Sequence, residues 1–493
     1  MKLNYKRTIL VGFAFFLISA FWQAYDAIVP LMLTNHFGLP QAASGTVMAL
    51  DNIIAVIMLP IFGAWSDKVN TRYGKRTPFV FVGTIAAVIA FICLTFIDNY
   101  QLAPVIQAGI PELYAEAEAV RDAAYDLMKN ARSLGDESLV AVAREQIALA
   151  DTMFEEVRQI AFNITINRVM PLAGFIIVLL ITLISMATFR SPAVALMPDV
   201  TVKPLRSKGN AIINLMGTAG GIIVLVLGII FKTSNIYMKY SAYVIVVSVV
   251  MLLGLIVFVT TVKENRWAAD MEADNEKYGL VEETKSIDNR KRRLSKAEMT
   301  SLILILASVA LWYIGYDSIT SKYSVYASNE LGCDYNSTLI IAQAAAIISY
   351  IPVGIISSKL GRRKTILAGI VILASSFLVG NFINPGVSEL VMYPVFILAG
   401  IGWATINVNS FPMVVELAKG GDVGKYTGYY YTASMAAKIV APIFSGALYD
   451  FFGMRNVFFV FGTVFVVASF ITMFFVKHGD SRPDAVEVLD NID

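Results

Sequence analysis

The sequence predicts an all-α integral membrane protein, with twelve transmembrane helices in two pseudo-symmetric six-helix bundles and an extracellular helical hairpin. Three observations carry that prediction. Twelve apolar runs each offer roughly the 20 residues that a helix needs to cross the hydrocarbon. The same basic punctuation follows a proline-bearing run in each half. It reads Gly63-Ala-Trp-Ser-Asp67-Lys68 with Arg72, Gly74, Lys75 and Arg76, and then Gly354-Ile-Ile-Ser-Ser358-Lys359-Leu-Gly361-Arg362-Arg363-Lys364. One connection, 99–168, is too long for a plain loop and has helical periodicity of its own. Two homologous halves around a central site is a plan that many secondary transporters share.

In chain order the runs lie near 8–33, 44–64, 78–98, 170–190, 207–231 and 238–262, then 300–322, 336–357, 365–384, 390–415, 425–448 and 456–476. The first is too long for a signal peptide and has no small-residue cleavage site, so it reads as a membrane span. The expected divisions are an N-terminal bundle over 1–262 containing the 99–168 insertion, a charged cytoplasmic linker over 263–299, a C-terminal bundle over 300–478 and a tail over 479–493. Composition agrees: 57% of residues are hydrophobic and 15% charged, against about a quarter charged in soluble proteins. A net charge of +2 points to no nucleic-acid partner. Cys93 in an apolar run and Cys333 in a polar connector make neither a disulfide framework nor a metal site.

Lysine and arginine sort the short connections into two classes. Those joined to the N-terminus collect Lys2, Lys6, Arg7, Lys68, Arg72, Lys75, Arg76, Lys203, Arg206, Lys208, the nine basic residues of the linker, Lys359, Arg362, Arg363, Lys364, Lys419, Lys425, Lys477 and Arg482. The opposite short loops hold Lys232, Lys239 and Arg455. Both termini and both repeated turns are therefore expected on the cytoplasmic side of the cell membrane, with 99–168 outside. That segment carries eleven acidic and six basic side chains. Leu113, Ala117, Val120, Ala124, Leu127, Ala131 and Leu134 form one stripe, and Ala143, Ile147, Ala150, Phe154, Val157 and Ala161 a second. The stripes predict an antiparallel helical hairpin, with Pro111 in the first turn, Gly135 as stop and Asp136 or Ser138 as cap. Its expected role is an inert elaboration, with partner binding as the alternative.

The Gly-x-x-x-Asp-Lys pattern followed by Gly-Lys-Arg resembles the signature loop of the major facilitator superfamily. The longer form Asp67-x4-Arg72-x-Gly74-x-Arg76-x-Pro78 resembles its branch of sugar–cation symporters, which holds the glycoside–pentoside–hexuronide and sucrose carriers. The resemblance covers all twelve spans. It implies secondary transport of a small solute by alternating access, a functional monomer in membrane lipid, and no enzymatic activity or cofactor. Physically, a glycine lets helices approach, and an aspartate at a helix end can face the positive end of another helix. Gly63, Asp67, Arg72, Gly74 and Arg76 are thus expected to form a conformational gate, with Asp67 latching onto the start of span eleven near Gly424 and Lys425. Ser358 stands where the first copy has Asp67, so the latch should be one-sided. A second repeat pairs Thr188-Phe-Arg190-Ser-Pro192 and Asp199 with Thr405-Ile-Asn407-Val-Asn409 and Glu416. Both place polar groups mid-span, then proline, then an acid.

Ionisable groups within spans are costly and by default mark a pathway. Asp26, Asp51, Arg190, Asp317, Lys322 and Lys438 are such groups. Asp26 follows Trp22 and Tyr25, and Asp317 follows Trp312 and Tyr316 in the equivalent span of the other half. Rings pack on the apolar face of a sugar while carboxylates, amides and guanidinium groups bind its hydroxyls. The expected substrate residues are Trp22, Tyr25, Arg190, Trp312, Tyr316, Asp317, Asn407 and Asn409. Interfacial aromatic belts and a structural ion pair at Arg190 are the plainer readings. Lys438 lies too deep to snorkel and needs a counter-charge. By resemblance it sits where the family carries a lysine near its cation site, so Asp26, Asp51 and Lys438 are the expected coupling residues.

The chain also departs from the family. Melibiose-type members place two acids on span two where Ala55 and Leu59 stand here, and an aspartate at the position of Arg190. One remaining carboxylate, Asp51, suits a proton better than a sodium cage, so proton coupling is expected, with sodium the alternative. A membrane enzyme finds no support in two histidines at span ends and no nucleophile motif; Gly420-Gly-Asp-Val-Gly-Lys425 lacks phosphate-loop spacing. The sequence is also compatible with a non-transporting sensor, with export and with uncoupled transport.

Overall fold

The computed structural model describes residues 3–202, 205–277, 295–384, 389–417 and 423–479. The expected linker and tail stretches 278–294 and 480–493 lie outside the described residues. Sixteen α-helices account for the described fold. In chain order they are α1 (Tyr5–Leu31), α2 (Gln41–Lys68), α3 (Thr77–Gln107), α4 (Ile110–Leu134), α5 (Glu137–Asn167), α6 (Val169–Asp199), α7 (Arg206–Phe231) and α8 (Ser241–Thr261). There follow α9 (Glu264–Lys277), α10 (Lys296–Thr320), α11 (Tyr323–Val325), α12 (Tyr335–Leu360), α13 (Arg362–Gly380), α14 (Met392–Glu416), α15 (Val423–Phe452) and α16 (Met454–Phe474). Among the described residues eleven helices are long and apolar enough to cross a membrane. The remaining expected run, 336–357, lies in the 26-residue α12. This is a multi-pass membrane protein.

Two faces can be told apart. At the basal face α1 begins and α16 ends. There Arg7 pairs with Asp270 at 2.8 Å and lies over the Trp267 ring, which fixes α9 beside the start of α1. The opposite face carries α4 and α5. These run antiparallel, and the Asp136 carboxylate caps α5 by accepting from the amides of Ser138 and Leu139 at 2.9 and 3.2 Å. Their buried seam differs from the expected stripe. Ala117, Arg121, Ala124, Met128 and Ala131 face Ala143, Ala150, Val157 and Ala161, while Leu113 and Leu134 are exposed. Small side chains let the two backbones close on each other, which a seam of leucines would prevent.

The halves meet mainly where α2 crosses α15. A Cβ added at Gly45 would stand 2.0 Å from the Pro442 carbonyl oxygen, and one at Gly446 2.4 Å from that of Gln41, so only glycine fits this crossing. The first span of each half ends alike on the hairpin face. α1 runs into a π-helical turn, Met32–His36, and α10, continued by the short α11, into another, Tyr326–Leu331. Each is followed by a glycine in the left-handed region, Gly38 at φ +65° and Gly332 at φ +66°. The two turns are equivalent in sequence as well, Thr34-Asn35-His36 against Ser328-Asn329-Glu330.

Candidate solute site between the halves

A cavity of about 1420 Å³ lies between the halves, lined mostly by α1, α2, α6, α7, α10, α12, α14 and α15, with a few residues of α11, α13 and α16. It reaches Asn210 near the basal start of α7 and Pro412 near the basal end of α14. Toward the hairpin face the halves close on each other. Gln343 Nε2 donates to Gln23 Oε1 at 2.6 Å, Lys322 Nζ to Ser44 Oγ at 2.6 Å, and Tyr335 Oη to Thr233 Oγ1 at 2.6 Å. The Asp450 carboxylate caps α2 from the other half, accepting from the amides of Gln41 and Ala42 at 2.7 Å each.

Among the described residues five charged side chains line this cavity: Asp26, Asp51, Arg190, Asp317 and Lys438. Lys438 lies within electrostatic range of all three carboxylates, and Arg190 of Asp26 and Asp51. Arg190 also sits 5.4 Å from the Trp22 ring, and the Lys438 ammonium 5.4 Å from the Tyr313 ring. Asp51 Oδ1 accepts from the backbone and side-chain nitrogens of Asn52, both at 2.5 Å. The second carboxylate oxygen of Asp317 and the Trp22 indole nitrogen are buried without a protein hydrogen-bond partner. The second half also contributes an aromatic pair: Tyr316 and Trp403 stack at 3.7 Å with 8° between their planes.

Of the residues expected from the sequence, Trp22, Asp26, Asp51, Arg190, Tyr316, Asp317, Asn407 and Lys438 all line the cavity. Tyr25, Trp312 and Asn409 stand off it. Tyr25 stacks on Phe21 and Trp312 is fully buried in the core, while Asn409 Nδ2 donates to the Thr405 carbonyl of its own helix at 2.9 Å. Residues two apart on a helix point to opposite sides, so Asn407 and Asn409 cannot both face one cavity. Sequence reasoning passed over Trp403, Gln23 and Gln343. Trp403 was detectable, since it stands four residues before Asn407 and therefore on its face.

The basal loop of the first half is a brace. Arg76, 6% exposed, donates through Nε to Asp199 at 2.8 Å and pairs with Asp67 and Ser66 through its other nitrogens. Burial works against the Arg76 charge, yet the hydrogen bonds and charges of Asp199 and Asp67 outweigh it and raise the pKa above its ordinary value. Glu264, from the start of α9, accepts from the amides of Lys75, Arg76 and Thr77 at 2.6, 2.9 and 2.9 Å, so it caps α3. Gly74 at φ +118° makes room, for an added Cβ would lie 2.2 Å from that carboxylate. Arg72 is exposed and lies over the Tyr73 ring, and Gly63 packs against Ser191. Asp67 thus pairs within its own half in this conformation, and the side chain of Lys425, at its expected partner the start of span eleven, lies outside those described. The second half repeats the motif with Arg362 and Glu416 at 2.5 Å.

A family profile described as Major Facilitator Superfamily matches residues 160–418 and 334–490, and one described as MFS/sugar transport protein matches residues 10–108. Among curated relatives, the human "Proton-associated sugar transporter A" is 33% identical over 88 residues, and the Arabidopsis thaliana "Sucrose transport protein SUC3" 36% identical over 59. These matches take in 18% and 12% of this chain, but only 11% and 10% of those relatives. Among solved structures, an inward-open xylose transporter XylE from E. coli aligns with a TM-score of 0.61 at 12% identity, over 99% of each chain. A peptide transporter aligns with a TM-score of 0.61 at 12% identity, over 96% of this chain and 93% of its own. At such identities the likeness is one of fold.

Proposed function

Because the chain belongs to the major facilitator superfamily and is a secondary transporter, not an enzyme, we propose that it carries a sugar or glycoside in symport with a proton by alternating access. One observation carries the coupling: among the described residues the cavity wall holds three carboxylates against two cations. In a site surrounded by apolar protein and lipid an uncompensated charge is expensive, so the wall favours one added positive charge. Asp26 or Asp51 takes that charge, and Lys438 and Arg190 hold the remaining carboxylates ionised. Among the described residues these carboxylates are not gathered into a group that could ligate a metal ion, which suits a proton better than sodium, since sodium needs several oxygen ligands at once.

The solute class rests on the aromatic pair and the polar groups around it. The flat Tyr316–Trp403 pair suits the apolar face of a pyranose, and Asn407, Asp317, Arg190 and Trp22 supply donors and acceptors for hydroxyls. The sugar-transport profile over 10–108 and the names of the two relatives favour the same class. With the basal face cytoplasmic, as the lysine and arginine count expects, this conformation is the inward-facing one of a plasma-membrane carrier that works as a monomer. Proteoliposomes test the reading: an inward proton gradient should concentrate a glycoside from a panel, and a sodium gradient should not. Asp26→Asn or Asp51→Asn should abolish that accumulation while leaving exchange intact. Accumulation retained in both variants would overturn the assignment.

A further inference from the structure

The mechanism above leaves the α4–α5 hairpin without a role, yet its contacts are not those of an inert appendage. The hairpin belongs to the first half, between α3 and α6, but it grips the second half. Arg121 lies in its alanine seam, only 3% exposed, where an apolar residue would serve packing better. Its Nη1 donates to the backbone oxygen of Asn329 at 2.5 Å, and its guanidinium lies 4.7 Å from the Phe154 ring. Tyr114 Oη donates to the same oxygen at 3.2 Å. The side chain of Asn329 meanwhile pairs with Asn35, its equivalent in the first half, at 2.7 Å. A second grip lies nearby, with Arg455 of the second half over the Tyr125 ring of the hairpin at 5.0 Å.

Asn329 is thus a hub. It sits in the π-helical turn Tyr326–Leu331, two residues before that turn ends, where the last carbonyls have no partner within the helix and the Cys333 amide bonds to Ala327 instead. The carbonyl receives the hairpin while the amide side chain holds the tip of α1. All of these bonds join the halves on the face where the cavity is shut, so all must break when that face opens.

We propose that the hairpin is a clasp. Rooted in the first half and closed on the Asn329 turn of the second, it weights the carrier toward the conformation with the hairpin face shut and slows the opening of that face in each cycle. The inference rests on the alternating-access reading but not on the identity of the solute or coupling ion.

Spin labels at Lys232→Cys in the first half and Phe451→Cys in the second, in a Cys93→Ser background, report separation on the hairpin face without touching the hairpin. Both positions are exposed. Arg121→Met keeps the bulk in the seam and removes the bond, and should raise the long-distance population about tenfold. Tyr114→Phe, a milder change that keeps the fold if Arg121→Met does not, should shift it in the same direction by less. Replacing 110–167 with a short glycine–serine linker should shift it furthest. Asp450→Asn loosens a contact between the halves that does not involve the hairpin and should shift it too. If Asp450→Asn opens the face and the three hairpin changes do not, the clasp is wrong and alternating access stands. If no variant moves the distribution, the clasp fails together with the reading on which it rests.

Discussion

In the first half Arg76 reaches from the loop after α2 to Asp199 at the end of α6; in the second, Arg362 reaches from the first turn of α13 to Glu416 at the end of α14. The two bridges are the same device, repeated with the sequence motif that encodes it. Their surroundings differ. Arg76 is buried and is also held by Asp67 and Ser66, while Glu264 caps the following helix; Arg362 is 22% exposed. The comparison teaches that the repeated turn encodes a brace within each half in this conformation. The extra aspartate makes the first brace the stiffer, so that half should tilt as one body. The cavity walls divide as well. The first half supplies Asp26, Asp51 and Arg190, and the second the aromatic pair with Asp317 and Lys438.

The largest expected effect comes from removing the buried arginine. Arg76→Ala removes a buried guanidinium whose partners Asp67 and Asp199 are 63% and 37% exposed, so solvent screens the carboxylates left behind and stability should fall by about 1.5–3 kcal/mol, mainly through the lost charge-assisted hydrogen bonds. Arg362→Ala should cost about 1 kcal/mol or less, as for a partly exposed pair. Thermal unfolding of purified protein in detergent measures both, and equal losses would break the asymmetry. Next, Gly74→Ala should cost about 1–3 kcal/mol, because it adds strain at positive φ to a clash with Glu264. A smaller loss would mean that the Glu264 cap is looser than its bond lengths imply.

On the cavity side, Trp403→Ala should weaken apparent solute affinity about tenfold while the ratio of protons to solute stays unchanged. A changed ratio would show that the aromatic pair takes part in coupling as well as in recognition. The smallest effect concerns the hairpin. The Asp136 carboxylate is held below its ordinary range, first by the Ser138 hydroxyl and then by the Leu139 amide. A group with a lowered folded pKa contributes stability above its unfolded value and loses it as pH falls through the folded one. Hairpin order, read by hydrogen exchange, should therefore decline slightly on acidification, and Asp136→Asn should flatten that dependence.

Much of this architecture was legible because it is written in periodicity. Runs of apolar residues gave the spans, steps of three and four gave the hairpin, and the glycine-rich basic turn gave the repeat. Charges placed deep in spans were legible too, since lipid tolerates them only at a cost, and Asp26, Asp51, Arg190, Asp317 and Lys438 converge on one cavity. What sequence spacing could not supply was pairing over long separations. Glu264 reaches back to Thr77, and Asp450 to Gln41, across distances that no local pattern encodes. The stripe through Leu113 and Leu134 misled because hydrophobicity alone favours leucine, whereas close helix approach favours alanine. The equivalence of Asn35 and Asn329 lay in plain view as Thr34-Asn35-His36 and Ser328-Asn329-Glu330, but two short polar triplets carry little weight until the backbone shows both in π-helical turns.

The account depends most on the surplus carboxylate in the cavity, and the coupling ratio at equilibrium tests it directly. In proteoliposomes held at a pH difference of about one unit with the voltage clamped to zero, one proton per solute should sustain a solute gradient of about tenfold. A gradient that decays to unity would mean that the extra negative charge couples to nothing. One that rises to about a hundredfold would mean that two carboxylates are loaded, and the count of three against two would not describe the working site.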